Sequence, residues 1–225
     1  PLQGRLLGGD REFTRVSTDS RSLQAGELFV ALTGDNFDGH DYLAQVAASG
    51  AVAALVSQAQ EIDLPQLQVA DTLRGLGRLG ACNRQLYQGP LVAITGSSGK
   101  TTVKNMVHAV LSTAGNTLAT SGNLNNEVGV PLTLLRLEPS VEYAVVEMGA
   151  AKAGDIQWLC ELGQPSVSLL LNAMPAHLEG FGSVDDVAQA KGEIFDGLRP
   201  GDVAVINADQ PCGPVAAPGG GCHRA

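Results

Sequence analysis

The sequence predicts an α/β protein: a small mixed α/β amino-terminal domain, then a mostly parallel sheet of the P-loop type with helices on both faces. Two observations carry this. The stretch Leu91-Val-Ala-Ile-Thr-Gly-Ser-Ser-Gly-Lys-Thr-Thr102 runs from a short apolar strand through glycines into a helical pattern. From there to residue 207, strand-like and helical runs alternate, which implies right-handed βαβ units and parallel strands.

Composition sets the bounds. A chain of 225 residues offers one large or two modest domains and enough material for a buried core. The net charge of −9, with no basic run, argues against nucleic acid or an anionic membrane surface as partner. An acidic protein that binds a polyphosphate does so locally, with loop amides, a lysine and a divalent cation. No run of 18 apolar residues and no charged-then-apolar leader occurs, so neither a membrane span nor a signal peptide is expected. The chain lacks an initiator Met, and a few residues are expected to be missing in front. Cys82, Cys160, Cys212 and Cys222 share no C-x-x-C spacing; Cys82 and Cys160 fall within apolar helical patterns and read as free thiols, with the cytoplasm as the default compartment.

Residues 1–88 form the first domain. Strand-like runs fall at 12–16, 27–32, 51–56 and 66–69, and helical ones at 41–48 and 72–87. Gln88-Gly89-Pro90 breaks the pattern and marks the boundary. Two polar clusters follow strand-like runs, Ser17-Thr-Asp-Ser-Arg21 and Gly34-Asp-Asn-Phe-Asp-Gly-His40. Gly, Asn, Asp and Ser are turn residues, so both read as turns unless a ligand engages them, and His40 reads as a loop or surface histidine.

Residues 89–209 form the second domain. Its first strand, 91–94, leads into T-G-x-x-G-K-T-T, shorter than the full G-x-x-x-x-G-K-[ST] because position 94 is Ile. Such a string can be an ordinary turn. It can also be a phosphate cradle, in which Gly96, Ser97, Ser98 and Gly99 bring amides to the phosphates, Lys100 adds charge and the Thr101 hydroxyl meets Mg²⁺. Val103, Met106, Val107, Val110 and Leu111 predict the apolar face of the helix that follows, and Gly115 its stop. Further strands are expected at 117–119, 143–148, 167–171 and 203–206, with helices at 128–137 and 153–162.

In open parallel sheets, ligands bind outside the carboxyl ends of the strands. By that rule Gly96, Glu147, Asn172 and His177 should share one edge. Singly, Glu147 is a surface acid and His177 a loop histidine; together beside a glycine loop they suggest Mg²⁺ coordination. Ser183 caps a further helix, and Lys191 points with its apolar stripe of Val184, Val187, Ile194 and Phe195. Such a lysine either snorkels to solvent or is buried, with a lowered pKa and a reactive neutral amine. Residues 210–225 are Pro/Gly-rich without periodicity and are expected to be irregular.

Taken together, several strings resemble the ATP-dependent Mur ligases of peptidoglycan synthesis, over about residues 15–209. They are S-T-D-S-R, G-E-L-F-V-A-L-T-G-D-N-F-D-G-H-D, T-G-S-S-G-K-T-T-V-K, G-N-L-N-N-E-V-G-V-P-L-T-L-L, V-E-M-G-A, A-H-L-E-G-F-G-S and A-K-G-E-I-F. The resemblance implies that Gly96–Thr102, including Lys100 and Thr102, bind ATP. It implies that Thr101, Glu147, His177 and Lys191 serve Mg²⁺, and that Lys100, His177 and Lys191 act in catalysis, with Lys191 carbamylated. Thr18, Ser20, Asp35, Asn36 and Phe37 match the region holding the UDP end of the substrate, and Asn125 and Asn126 line its peptide path.

The implied reaction joins UDP-N-acetylmuramoyl-tripeptide to D-alanyl-D-alanine, the amine to which G-N-L-N-N points, through an acyl phosphate. A monomer is expected. Family members are about twice as long and end in a further Rossmann-like domain, so the expectation is a truncated, frame-shifted copy that makes no peptide bond. Two other readings stand beside it. One is a non-catalytic nucleotide- or UDP-sugar-binding module. The other is a sister ligase adding one amino acid, or a folylpolyglutamate-synthase-like enzyme, which the first domain and G-N-L-N-N disfavour.

Overall fold

The computed structural model describes residues 2–174, 183–209 and 223–224. The chain divides into two compact units, Pro1–Leu79 and Gly80–Ala225, with the division inside helix α2, Thr72–Leu86.

The first unit is built on a sheet of five strands. They are β1 (Gly4–Leu7), β2 (Val16–Ser17), β3 (Leu28–Val30), β6 (Ala53–Val56) and β7 (Gln66–Val69), in the order β1-β7-β6-β3-β2. All neighbours are parallel except β1, which runs against β7. Strand β3 is buried along its whole length, and Phe29 packs with Leu23, Ala54, Val56 and Leu64. Helix α1 (Leu43–Ala48) adds Leu43 and Val46, three apart and therefore on one face. Between β3 and α1 stands a hairpin, β4 (Thr33–Gly34) with β5 (Phe37–Asp38), followed by one 3₁₀ turn over Gly39–Tyr42. The strand expected at 12–16 is reduced to Val16–Ser17, since residues 11–15 are solvent-exposed and carry no apolar alternation to bury.

The second unit is a six-stranded sheet in the order β13-β12-β11-β8-β10-β9, parallel throughout. The strands are β8 (Leu91–Thr95), β9 (Thr117–Ala119), β10 (Tyr143–Glu147), β11 (Val167–Leu170), β12 (Val203–Ile206) and β13 (His223–Arg224). Alternate residues of β8 face opposite ways. Val92 and Ile94 pack with Val103, Val107 and Leu111 of helix α3 (Lys100–Leu111). Leu91 and Ala93 belong to the larger core, with Val130 and Leu134 of α4 (Gly129–Leu134) and Ile156 and Leu159 of α5 (Asp155–Gly163). Helices thus cover both faces, as the alternation predicts. Helix α6 (Val184–Gly192) starts on Ser183, whose hydroxyl accepts the Asp186 amide.

Both ends of α5 are satisfied by side chains distant in sequence. The Glu193 carboxylate accepts the amides of Gly154 (2.7 Å) and Gln157 (3.1 Å), an anion at a helix amino terminus. Arg84 donates to the carbonyls of Gly163 (2.6 Å) and Gln164 (3.0 Å) at the other end.

Two expectations are corrected. Met106 and Val110, placed on the apolar face of α3, are 62% and 67% exposed. The inner stripe is Val103, Lys104, Val107, His108 and Leu111. The reason is the sheet edge: β9 is an edge strand, and Lys104 and His108 donate to the carbonyls of Thr120 and Thr117 in and after it. The tail, expected to be irregular, contributes β13, which pairs with Val205 and Ile206 because β12 would otherwise leave its outer backbone groups unpaired. Replacing Met106 or Val110 with Ala should shift the free energy of urea unfolding by less than about 0.5 kcal/mol. Val107→Ala should cost about 1–3 kcal/mol in the same measurement.

Candidate functional site

In the second unit the site begins where β8 ends. Thr95 is fully buried, and its hydroxyl donates to the Met148 carbonyl at 2.8 Å, tying the end of β8 to that of β10. At Gly96 the chain turns close under β11, where an added Cβ would lie 3.0 Å from Cβ of Leu171. Gly99, with φ of +78°, then starts α3 in a conformation that side chains resist. The first amides of α3, from Lys100, Thr101 and Thr102, have no acceptor within the helix and form its positive end. Lys100 folds back, donating from Nζ to the Gly96 carbonyl at 2.8 Å.

The loop is held from the side by the residues after β11. Asn172 accepts the Ser97 amide on its carbonyl (3.1 Å) and the Ser98 amide on Oδ1 (3.0 Å), and its Nδ2 donates to the Ser98 carbonyl. The Ser97 hydroxyl donates to the Met174 carbonyl and accepts the Met174 amide. The Ser97 and Ser98 amides are therefore turned towards 172–174, whereas those at the start of α3 are left for a ligand.

Glu147 is the last residue of β10, opposite Ile94 in parallel register, and only 2% exposed. One carboxylate oxygen accepts the Thr101 hydroxyl (3.0 Å) and the other the Asn125 side-chain amide (2.7 Å). Its own backbone N–H is received by the Thr120 hydroxyl at 2.9 Å. The chain leaves β8 towards α3 on one face, and leaves β10 towards α5 on the other. Between those strands opens the crevice in which such sheets bind ligands.

Lys191 is buried, 3% exposed, so the snorkelling alternative does not apply. Burial first, and the positive charge of Lys100 second, push its pKa down to about 8. Asn126 does not join this group. Its side chain accepts the amides of Val128 (3.3 Å) and Gly129 (2.9 Å) and starts α4. His177 lies outside the described residues.

A hydroxyl and a carboxylate are hard oxygen donors that suit Mg²⁺. Among the described residues no group of three or more His, Cys, Asp or Glu side chains could hold a metal ion. The donor set therefore fits an ion that takes one or two protein ligands and draws the rest from phosphates and water, as Mg²⁺ does.

In the first unit, Thr18 and Ser20 follow β2, and the hairpin tip Asp35-Asn36 follows β3. These strands are parallel neighbours, so both clusters lie beyond the same sheet edge. Phe37 is exposed beside them. His40, read as a surface or loop histidine, is buried and structural. Its Nε2 accepts the amides of Ser57 (3.0 Å) and Gln58 (3.3 Å), so the proton sits on Nδ1, which donates to Asp38. The backbone N–H of His40 first, and its ring second, hold the Asp38 carboxyl below the usual carboxylate range, and Arg21 holds the exposed Asp19 down to about 2. The sequence signal for His40 was present in Asp38-Gly39-His40, but nothing local showed that β6 would end beside it.

A parallel sheet whose central strand runs into a glycine loop and a lysine-started helix defines a P-loop-type α/β protein. Residues 94–217 match the Mur ligase middle domain and residues 12–81 the Mur ligase family, catalytic domain. The chain belongs to the Mur ligase family. It is 54% identical over 208 residues to the UDP-N-acetylmuramoyl-tripeptide–D-alanyl-D-alanine ligase of Escherichia coli (strain K12), covering 92% of this chain and 46% of that protein. Its fold is similar to that of MurF from Acinetobacter baumannii, with a TM-score of 0.95 at 40% identity over 99% of this chain and 51% of the other. It is also similar to MurF ligase from Thermotoga maritima in complex with ADP, with a TM-score of 0.82 at 33% identity, covering 90% and 47%. The chain spans about half the length of these relatives. Among the described residues no helix is long and apolar enough to cross a membrane.

The buried Lys191 has a consequence for stability. Its folded pKa, about 8, lies below that of an ordinary lysine, so between about 8 and 10.4 the unfolded chain holds the extra proton and stability rises with pH. Lys191→Met should therefore stabilise the fold at pH 7, and the gain should shrink as pH rises through that window. Urea midpoints of both proteins at pH 7 and pH 10 check this.

Proposed function

We propose that the chain carries the UDP-substrate-binding and ATP-binding parts of a ligase that joins D-alanyl-D-alanine to UDP-N-acetylmuramoyl-tripeptide at the expense of ATP. The observation that carries this is Glu147, a buried carboxylate bonded both to Thr101 of the glycine loop and to Asn125 of G-N-L-N-N. Residues 1–88, through Thr18, Ser20, Asp35, Asn36 and Phe37, would hold the UDP end; residues 89–209 would hold the nucleotide. The names of the similar proteins from Escherichia coli and Haemophilus influenzae support the choice of amine.

The amides of Lys100, Thr101 and Thr102 would receive phosphate oxygens at the positive end of α3. Lys100 would leave the Gly96 carbonyl and follow the γ-phosphate. Thr101 and Glu147, with His177, would hold Mg²⁺, which when bound stabilises the charge on the transferring phosphoryl group. The substrate's terminal carboxylate would attack the γ-phosphate to give an acyl phosphate, and the D-alanyl-D-alanine amine would then displace phosphate. The lowered pKa of Lys191 supports its carbamylation, because only a neutral amine adds CO₂. The carbamate would give this edge a second anion near the metal. The cytoplasm is the compartment this chemistry requires.

Calorimetric titration separates the parts. The wild-type chain should bind ADP more tightly with Mg²⁺ than without, and should bind the UDP-muramoyl-tripeptide independently. Lys100→Ala should weaken nucleotide binding by about 10–100-fold, the worth of a charge-assisted hydrogen bond. Absence of any magnesium-dependent nucleotide binding in the wild type would overturn the reading.

A further inference from the structure

Lys104 is the one lysine of α3 turned wholly inward. It is 5% exposed, and Nζ donates at 2.8 Å to the carbonyl of Thr120, just after β9. Thr120 is itself buried. Its amide donates to the Val145 carbonyl, and its hydroxyl accepts the backbone N–H of Glu147 at 2.9 Å. One turn earlier on the same helix, the Thr101 hydroxyl donates to the Glu147 carboxylate. Helix α3 therefore reaches Glu147 from both ends: through Thr101 at the carboxylate, and through Lys104 and Thr120 at the backbone.

Burying an ammonium is costly when an apolar side chain of the same length would fill the space. Adjacent Val103 and Val107 show that the stripe accepts apolar residues. An ammonium at 104 supplies what they cannot, a donor that fixes the Thr120 carbonyl and with it the direction of the hydroxyl beneath Glu147. We infer that Lys104 is a positioning residue for Glu147: acting through Thr120, it couples the nucleotide-loop helix to the aim of the metal-binding carboxylate. This rests on the reading of Glu147 as a magnesium ligand.

The test uses the full chain and measures ADP affinity with and without Mg²⁺, with the electron paramagnetic resonance of bound Mn²⁺ as a second readout. Lys104→Met and Thr120→Val should reduce the metal-dependent gain by roughly 10–100-fold, as loss of a support behind a metal ligand does, with metal-free ADP affinity kept within about twofold. Thr120→Ser, which keeps the hydroxyl, should restore the gain and the Mn²⁺ spectrum. In a Glu147→Gln background Lys104→Met should cause no further loss, because both act on one interaction.

Equal loss with and without metal, a full gain in Thr120→Val, or additive losses in the double variant would overturn the inference while leaving the proposed function in place. A wild type without metal-dependent binding overturns both. If Lys104→Met does not fold, the Thr120 pair, which changes a single hydroxyl or methyl group, decides.

Discussion

The parallel pairing of β8 with β10, in the register that sets Ile94 opposite Glu147, is the constraint on which the site depends. Side chains alternate along a strand, so a slip of one residue would turn Glu147 to the opposite face and carry it away from Thr101. The Thr95 hydroxyl on the Met148 carbonyl fixes that register at the open end, where regular pairing stops. From the same two strands the chain departs to opposite faces of the sheet. The crevice, the glycine loop on one side of it and the carboxylate on the other all follow from one register.

The architecture was readable because it rests on local patterns. Continuous apolar runs gave the buried strands, and the break from Ile94 into glycines gave the loop. Glu147 and Lys191 could be singled out because a charge at the end or on the face of an apolar run stands out. What could not be read depends on partners distant in sequence. Glu193 caps α5 from about forty residues away, and no pattern near it announces this. His40 is buried because β6 ends beside it, and Asn126 is committed to α4 although its neighbour Asn125 reaches Glu147.

The face of α3 shows how the period misleads. Val103, Met106, Val107, Val110 and Leu111 satisfy helical spacing as a set, yet the face that packs is turned by about 60° from theirs, away from 106 and 110 and towards 104 and 108. Position 104 lies outside that expected face. Inside the fold, the edge strand β9 needs donors for its carbonyls more than it needs further apolar cover, and Lys104 and His108 supply them. Hydropathy ranks side chains by their cost in leaving water. It is silent on which backbone groups will lack a partner when they arrive.

The same point resolves an apparent conflict of charge. A chain of net charge −9 should repel a polyphosphate at long range. Within a Debye length of roughly 8 Å, however, only nearby charges count. At this sheet edge they are Lys100 on the loop and, before the proposed uptake of CO₂, Lys191, close enough to Lys100 to feel its charge, set against the carboxylate of Glu147. The positive end of α3 adds to the cations. Lys191 is buried, so its field is screened less than those of the exposed acids that make up the net charge. Anion binding here is a property of the edge and not of the molecule.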